Sequence, residues 1–554
     1  MTVEECDGLA TAAPWIPSYQ AKYVAVVTPT ANTAWAPLRS AVFRSLWLAL
    51  LGSNIGIWMQ TVGAQWMLVE QGSSATLISL VQTASVLPIL FLALPAGALA
   101  DSFDRRRMLI AVQCGTVVVG VVLTVLTAAG RMPPALLLGL TFALGAGQAL
   151  SLPAWQAVVP DLVPGPQLAS ASALSGIAMN AARAVGPAIA GVLIAEVSVV
   201  LVFALNVLAF AVFTLVLWRW RREPGPEATS PERFTAALRA GGRYVRHAPV
   251  MRRVLLRAVL FVVPGGALWA LLPLVASQRL GLGAGGYGVL LGALGVGAVA
   301  GAVVLPRLGD WQSANVLLAA AGVAYAVAMV VLAVVPWPGL ILIVLVFGGI
   351  AWVTVLATTT AAIMLILPGW VRARGLSIYQ ITFAAGLGLG SLAWGALAQA
   401  TSLSTAYLAA AVVMVVGVAT ARSWPMPQVS HLRLEPAEFA PVPQLHLEPD
   451  PRDGPVMITV TYQVPDSDAE SFVDAMQHVA RTRRRTGAIQ WGLFREGERE
   501  ERFIEVYLVP SWDEHLRQHG VRLTGVDLEI QQRARAYARG DLEVRHLLPA
   551  RPEK

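Results

Sequence analysis

From Phe43 onward the chain alternates long apolar stretches with short polar ones. Twelve such runs can be read, at about 43–69, 75–100, 107–129, 133–159, 168–195, 198–219, 251–278, 284–308, 313–335, 338–366, 372–400 and 404–422. About 20 apolar residues in a helix cross the hydrocarbon of a bilayer, so the pattern predicts an all-α polytopic membrane protein with twelve transmembrane helices. Met1 to about Leu38 holds Pro14, Pro17, Pro29 and Pro37 with no sustained apolar period. Residues 1–40 read as a flexible cytoplasmic tail and lack the basic-then-apolar layout of a signal peptide.

Arginine placement gives the orientation. Connections after even-numbered runs hold Arg105 to Arg107, then Arg219, Arg221, Arg222, Arg233, Arg239, Arg243, Arg246, Arg252 and Arg253, then Arg307; those after odd-numbered runs hold essentially Arg131 and Arg279. Basic residues stay on the cytoplasmic side, so both termini are expected there, in a bacterial plasma membrane. The longest basic connection, 223–250, divides the runs into two six-helix halves, 41–222 and 251–422, and its segment Pro231 to His247 could lie on the membrane surface as a short helix. A gapless offset of 204 maps Gly97, Gly145, Gly165, Gly186 and Gly191 onto Gly301, Gly349, Gly369, Gly390 and Gly395, and Pro134 and Pro164 onto Pro338 and Pro368. This marks a duplicated unit.

Beyond residue 422 the character changes. Residues 423–455 carry Pro425, Pro427, Pro436, Pro441, Pro443, Pro449, Pro451 and Pro455, an extended linker. Residues 456–549 then read as a small α+β domain: a strand Val456 to Val464, a helix Ser467 to Arg485, a hairpin of Ala488 to Arg495 with Arg502 to Pro510, helical segments Trp512 to His519 and Gly525 to Ala538, and a strand Leu542 to Leu548. The βαββαβ order is ferredoxin-like.

Composition agrees: 554 residues, 56% hydrophobic and 13% charged, with a mean hydropathy of +0.63, exclude a soluble protein. The net charge of +7 sits mainly in loops that face anionic headgroups, so the lipid bilayer is the partner it implies, and nucleic acid is rejected. Cys6 and Cys114 lie in separate segments and support neither a disulfide framework nor a metal site.

One turn stands out, Gly97-Ala-Leu-Ala-Asp101-Ser-Phe-Asp104-Arg105-Arg106-Arg107-Met-Leu109. Gly97 lets helix ends approach, Asp101 can accept from a neighbouring helix N-terminus, and Arg105 and Arg106 can pair with that acid. The spacing resembles the signature between helices 2 and 3 of the major facilitator superfamily, with Gly97, Leu99, Asp101, Arg105, Arg106 and Leu109 matching and Ser102 and Asp104 departing from it. Two parallel six-helix halves about an axis along the membrane normal are the arrangement known for this superfamily. The resemblance implies a secondary transporter in which Gly97, Asp101, Arg105, Arg106, Gly186 and Pro187 gate. Gly186-Pro187 with Gly191 resembles the fifth-helix antiporter signature, which marks exporters. The arrangement over about residues 40 to 550 is similar to the transmembrane secretion effector, enterobactin-exporter-like branch.

Charge within the runs is rare enough to be informative. Arg183 stands mid-run with Asn180 one turn before it, facing either a watery cavity or helix carbonyls. Asn54, Gln60, Gln65, Gln82, Gln148, Gln156, Tyr379 and Gln380 can hydrogen-bond a solute or hold helices together, and Trp58, Trp155, Trp269 and Trp394 offer flat apolar surface. The substrate-binding set expected from these is Arg183, Asn180, Asn54, Gln60, Gln148, Trp155, Trp269, Tyr379 and Gln380. No run holds a His, and Glu70 and Glu196 sit at run ends. Thr141 occupies the position where the fourth helix of antiporters carries an Arg, so protons as the coupling ion are implied by the resemblance alone. The expected function is export of a small amphipathic siderophore or drug by alternating access, without a cofactor. The α+β tail, with His515 and His519 at i, i+4 after Trp512, resembles antibiotic-biosynthesis-monooxygenase-like domains, which often form homodimers. The alternative reading is a membrane-anchored enzyme or sensor whose activity lies in that tail.

Overall fold

The computed structural model describes residues 35–221, 242–309, 313–421, 423–426, 445, 449–451 and 453–550, with side chains throughout except at 94, 98, 100–102, 169, 306–309, 369, 370, 373, 520 and 521. The expected N-terminal tail up to residue 34, most of the basic connection and most of the proline-rich linker lie outside the described residues, as do the side chains of Asp101 and Arg307.

The apolar runs are helices: α1 Ala41–Glu70, α2 Ala75–Ser102, α3 Arg105–Ala128, α4 Pro134–Leu162, α5 Leu168–Glu196, α6 Val199–Arg219, α7 Pro249–Leu274, α8 Ala284–Gly309, α9 Ala314–Val334, α10 Pro338–Ile366, α11 Gly369–Ala400 and α12 Leu403–Ala419. Many starts are fixed by the short polar residue before the run. The side chains of Ser40, Ser74, Asp104, Ser198, Ser313 and Ser402 accept from the third backbone N–H of α1, α2, α3, α6, α9 and α12, satisfying donors that the first turn leaves open. Pro134 and Pro338, repeat partners, each open a helix where no N–H is needed.

Among the described residues, eleven helices are long and apolar enough to cross a membrane. The twelfth expected run forms α12, an apolar helix of 17 residues where the run reads 19. It stops at Ala419 because the chain turns through Thr420 and Ala421 into the segment before Pro425.

The repeat is visible in the packing. Gly145 abuts the Ser85 carbonyl of α2, and its partner Gly349 abuts the Leu294 carbonyl of α8; Gly186 lies against Trp58 and the Ile55 carbonyl of α1, and its partner Gly390 against the Val263 carbonyl of α7. Across the halves, α2 packs on α11 and α5 on α8. Gly191 meets Gly288 there, and its partner Gly395 meets Ser79. A side chain at any of these sites would strike a neighbouring backbone or a tightly packed side chain, so close helix approach requires glycine.

The tail forms a four-stranded antiparallel sheet, β1 Val456–Gln463, β2 Gln490–Arg495, β3 Arg502–Val509 and β4 Arg539–Leu547, in the order β2-β3-β1-β4. Helices α13 Ala469–Thr486, α14 Trp512–Arg517 and α15 Gly525–Arg535 complete it. Val456, Ile458, Val460, Tyr462, Phe503, Tyr507 and Val509 alternate onto one sheet face and pack with Phe472, Met476 and Trp512. Thr459, Val506 and Arg545 pair in register across β1, β3 and β4.

Candidate functional site

The two halves meet between the middle of the helices and the end opposite the arginine-rich turns. Gln65 on α1 is 2% exposed and spans the halves. Its Nε2 donates to the Trp269 carbonyl of α7 (3.2 Å), and its Oε1 accepts from the Tyr287 hydroxyl of α8 (2.6 Å). Gln65 and Trp269 stand 204 residues apart, the repeat offset, so equivalent positions touch across the pseudo-twofold axis. Beside them Trp66 stacks on Tyr287, and Thr83 Oγ1 donates to the Gly388 carbonyl (2.8 Å). The backbone contacts of Gly191 with Gly288 and of Gly295 with Ala184 extend the same seam.

One step inward lies Arg183. Its guanidinium stands 5.4 Å over the Trp58 ring, and its Nε and Nη1 are buried with no hydrogen-bond partner. It interacts electrostatically with the Tyr379 phenol of the other half. Trp58 leans on Trp269 (5.5 Å), which meets Trp352 (5.3 Å), and Phe383 links Trp352 to Tyr379. Tyr379 exchanges a 2.9 Å hydrogen bond with Thr359. A cation with open donor positions thus sits against a wall of aromatic faces drawn from both halves. Asn180 and Gln380 are exposed, and Asn54 is half-buried.

The other expected residues lie elsewhere. Gln60 is buried and bonds to Thr141 Oγ1 (3.4 Å) between α1 and α4. Gln148 is half-buried on α4. Trp155 packs edge-on against Phe213 in a separate core with Phe43, Leu46 and Leu109. At the opening turn, Arg105 Nη1 donates to the Ala157 carbonyl (2.9 Å), while Arg106 donates through Nε to Leu217 O (3.1 Å) and through Nη2 to Trp218 O (2.6 Å). Arg106 thus caps the carboxyl end of α6, where carbonyls lack helical partners, and Arg105 ties α3 to the last turns of α4. Asp104 caps α3 by accepting from Arg107 N (2.8 Å). Gly97 is half-buried, and Gly186 and Pro187 are buried in α5.

Sequence reasoning missed Tyr287, Trp352, Thr359 and Arg257. Tyr287 was findable, since the offset of 204 maps it onto Thr83, which also bonds across the halves. Arg257, close to Arg252 and Arg253 in sequence, is 9% exposed and donates to Gly417 O (3.0 Å), Thr420 Oγ1 (3.2 Å) and Trp424 O (2.8 Å). Together with Asn315, which bonds both backbone groups of Met426, it clamps the chain leaving α12. A shallow groove runs past Arg257, Phe261 and Met414.

In the tail, Glu505 is fully buried and satisfied: Arg483 Nε donates to it (3.0 Å), as do the Tyr462 hydroxyl (3.0 Å) and Trp491 Nε1 (2.9 Å). His515 is also fully buried, with ring centroids 4.6 Å from His519, 4.8 Å from His546 and 5.2 Å from Trp512, and its two ring nitrogens have no partner. Burial, then the neighbouring His519 and His546, lowers its pKa to about 2; burial and Arg483 lower that of His519 to about 4. Among the described residues no group of three or more His, Cys, Asp or Glu is arranged to hold a metal ion. Glu514 accepts from Arg522 Nη1 (2.6 Å) and from Arg243 Nη2 (3.4 Å), so the tail touches the segment that leads into α7. Arg485 lies 5.6 Å over the ring of Tyr244 in that same segment.

A family model described as a transmembrane secretion effector matches residues 32–553. The chain is 25% identical to the staphyloferrin A transporter of Staphylococcus aureus over 48% of its length and 66% of that protein. It is 28% identical to the multidrug efflux pump Tap of Mycobacterium tuberculosis over 40% of its length and 54% of the pump. The match therefore spans about half to two thirds of these relatives. In fold, it is similar to the nucleoside transporter NupG (TM-score 0.55, 13% identity, 70% of this chain and 100% of the other). A bacterial homolog of the human lysosomal transporter Spinster is also similar (TM-score 0.55, 17% identity, 69% and 94%).

Proposed function

The chain belongs to the transmembrane secretion effector family of the major facilitator superfamily, a family of membrane transporters, and on that premise we propose that it is a secondary active exporter of a small amphipathic molecule, a siderophore or a drug. The observation that carries this reading is the seam itself. Closed through Gln65, Tyr287 and the glycine contacts at one end, it leaves Arg183 and an aromatic wall from both halves behind it. Two halves rocking about such a seam give a solute access from one side at a time.

In this reading α12 is the twelfth span, the halves are 41–222 and 251–422, and both termini face the cytoplasm of a bacterial cell. Arg183, Asn180, Tyr379, Gln380 and Trp269 meet the solute, with Asn54, Gln60, Gln148 and Trp155 supporting the helices that carry them. Gly97, Asp101, Arg105, Arg106, Gly186 and Pro187 serve the gates. The tail, 456–549, is a ferredoxin-like, monooxygenase-like module that regulates or assembles the transporter, with a homodimer formed through this domain. That relatives are named for a siderophore and for multidrug efflux supports the solute class.

Deletion of residues 424–554 separates this reading from a membrane-anchored enzyme. Cells expressing the truncated chain should still extrude a fluorescent efflux dye. Turnover of a substrate by the tail, with no extrusion by the full chain, would replace the transporter reading.

A further inference from the structure

Resting on the exporter reading, we infer that the solute is an organic anion, and that its own charge, driven by the membrane potential, powers export. Two observations carry this. The first is Arg183, a mid-helix cation whose Nε and Nη1 are buried without partners, with Trp58 beneath it and Tyr379 across from it. A guanidinium in that position presents a planar fork suited to a carboxylate or a deprotonated catechol, and the aromatic wall suits a flat solute body.

The second is the chemistry of the twelve runs. None holds a His, and their acids, Glu70, Asp101, Asp161 and Glu196, stand at helix ends. A proton antiporter needs a group that loses and regains a proton as the site turns, and an Arg keeps its proton. Arg183 bound to an anion makes a neutral pair; the empty site returns with its positive charge. One negative charge leaves the cell in each cycle, the direction in which an inside-negative potential pushes it. At 100 mV a single charge corresponds to about 2.3 kcal/mol, or roughly a 50-fold outward concentration ratio, with no proton gradient.

The test uses the full chain in proteoliposomes loaded with 2,3-dihydroxybenzoate or with its neutral counterpart of similar shape, 2,3-dihydroxybenzamide. A potassium gradient with valinomycin sets the potential while pH is equal on both sides. Efflux of the benzoate should rise about 10-fold when the interior is made negative, and efflux of the amide should not change. Arg183→Gln should lower the benzoate-to-amide rate ratio at least 10-fold, and Arg183→Lys should recover part of it. Benzoate efflux that follows an imposed pH difference and ignores the potential overturns the inference, as does an equal loss of both probes in Arg183→Gln. Efflux of the amide without the benzoate overturns the anion class and leaves the exporter standing, as does movement of neither probe by protein that still extrudes the efflux dye; loss of the dye and both probes takes the exporter reading with it.

Discussion

Replacing Gln65 by Ala should open the closed end. In the structure its amide satisfies the Trp269 carbonyl and the Tyr287 hydroxyl, all three buried. Truncation leaves that carbonyl and hydroxyl unpaired while the seam is closed, at about 1–3 kcal/mol each, whereas water reaches both once the seam parts. Allowing for partial relaxation, the closed state loses about 2–4 kcal/mol relative to the open one, a shift of roughly 30- to 1,000-fold in their ratio. Tyr287→Phe orphans only the Gln65 oxygen and should shift it less, by about 1–2 kcal/mol. The reporter is Thr61→Cys, one turn inward on α1 and 7% exposed, in a background with Cys6 and Cys114 replaced by Ser. Labelling by a membrane-impermeant maleimide should accelerate in the order parent, Tyr287→Phe, Gln65→Ala. Equal labelling rates in all three would refute the assignment of the Gln65 bridge as the closure.

Arg106→Ala should lower the thermal stability of the detergent-solubilised protein by about 1.5–3 kcal/mol, since the Leu217 and Trp218 carbonyls lose a charged donor, and Arg106→Lys should restore less than half. Asp101→Ala should reduce efflux at unchanged membrane level; unimpaired efflux would remove that residue from the gate. The tail should weaken in acid. Because the folded-state pKa values of His515 and His519 lie below the ordinary value, stability is full above about pH 6.5 and falls as pH drops toward the folded values, by about 1.4 kcal/mol per pH unit for each imidazole. Proteolysis of the tail in the full chain at pH 7 and pH 5 reads this, and His515→Leu should flatten the difference.

The helices were legible because a bilayer demands long apolar runs, and their starts because Ser or Asp precedes many of them. The tail's strands were legible through alternation: the segment read as Val456 to Val464 forms β1 to Gln463, and that read as Arg502 to Pro510 forms β3 to Val509. The partners of individual polar residues were not. Gln65 and Gln60 are both amides on one apolar helix, yet one bridges the halves and the other bonds within its own half. Periodicity reports which face of a helix a residue occupies, and only packing decides what stands opposite. The arginines of the opening turn show the same limit: their carbonyl acceptors on α4 and α6 lie 52 to 112 residues away and leave no mark in the charge pattern.

The crossings at Gly191 with Gly288 and at Gly395 with Ser79 carry a consequence for turnover. Much of each seam closes through main chain and short side chains that have few rotamers to lose. Ordering a long side chain on closure would cost up to about 2 kcal/mol of conformational entropy, and here that cost is largely absent. These crossings therefore add little side-chain entropy difference between a closed and a parted seam. For the proposed exporter, this means that the glycine crossings can part and re-form without a large ordering step.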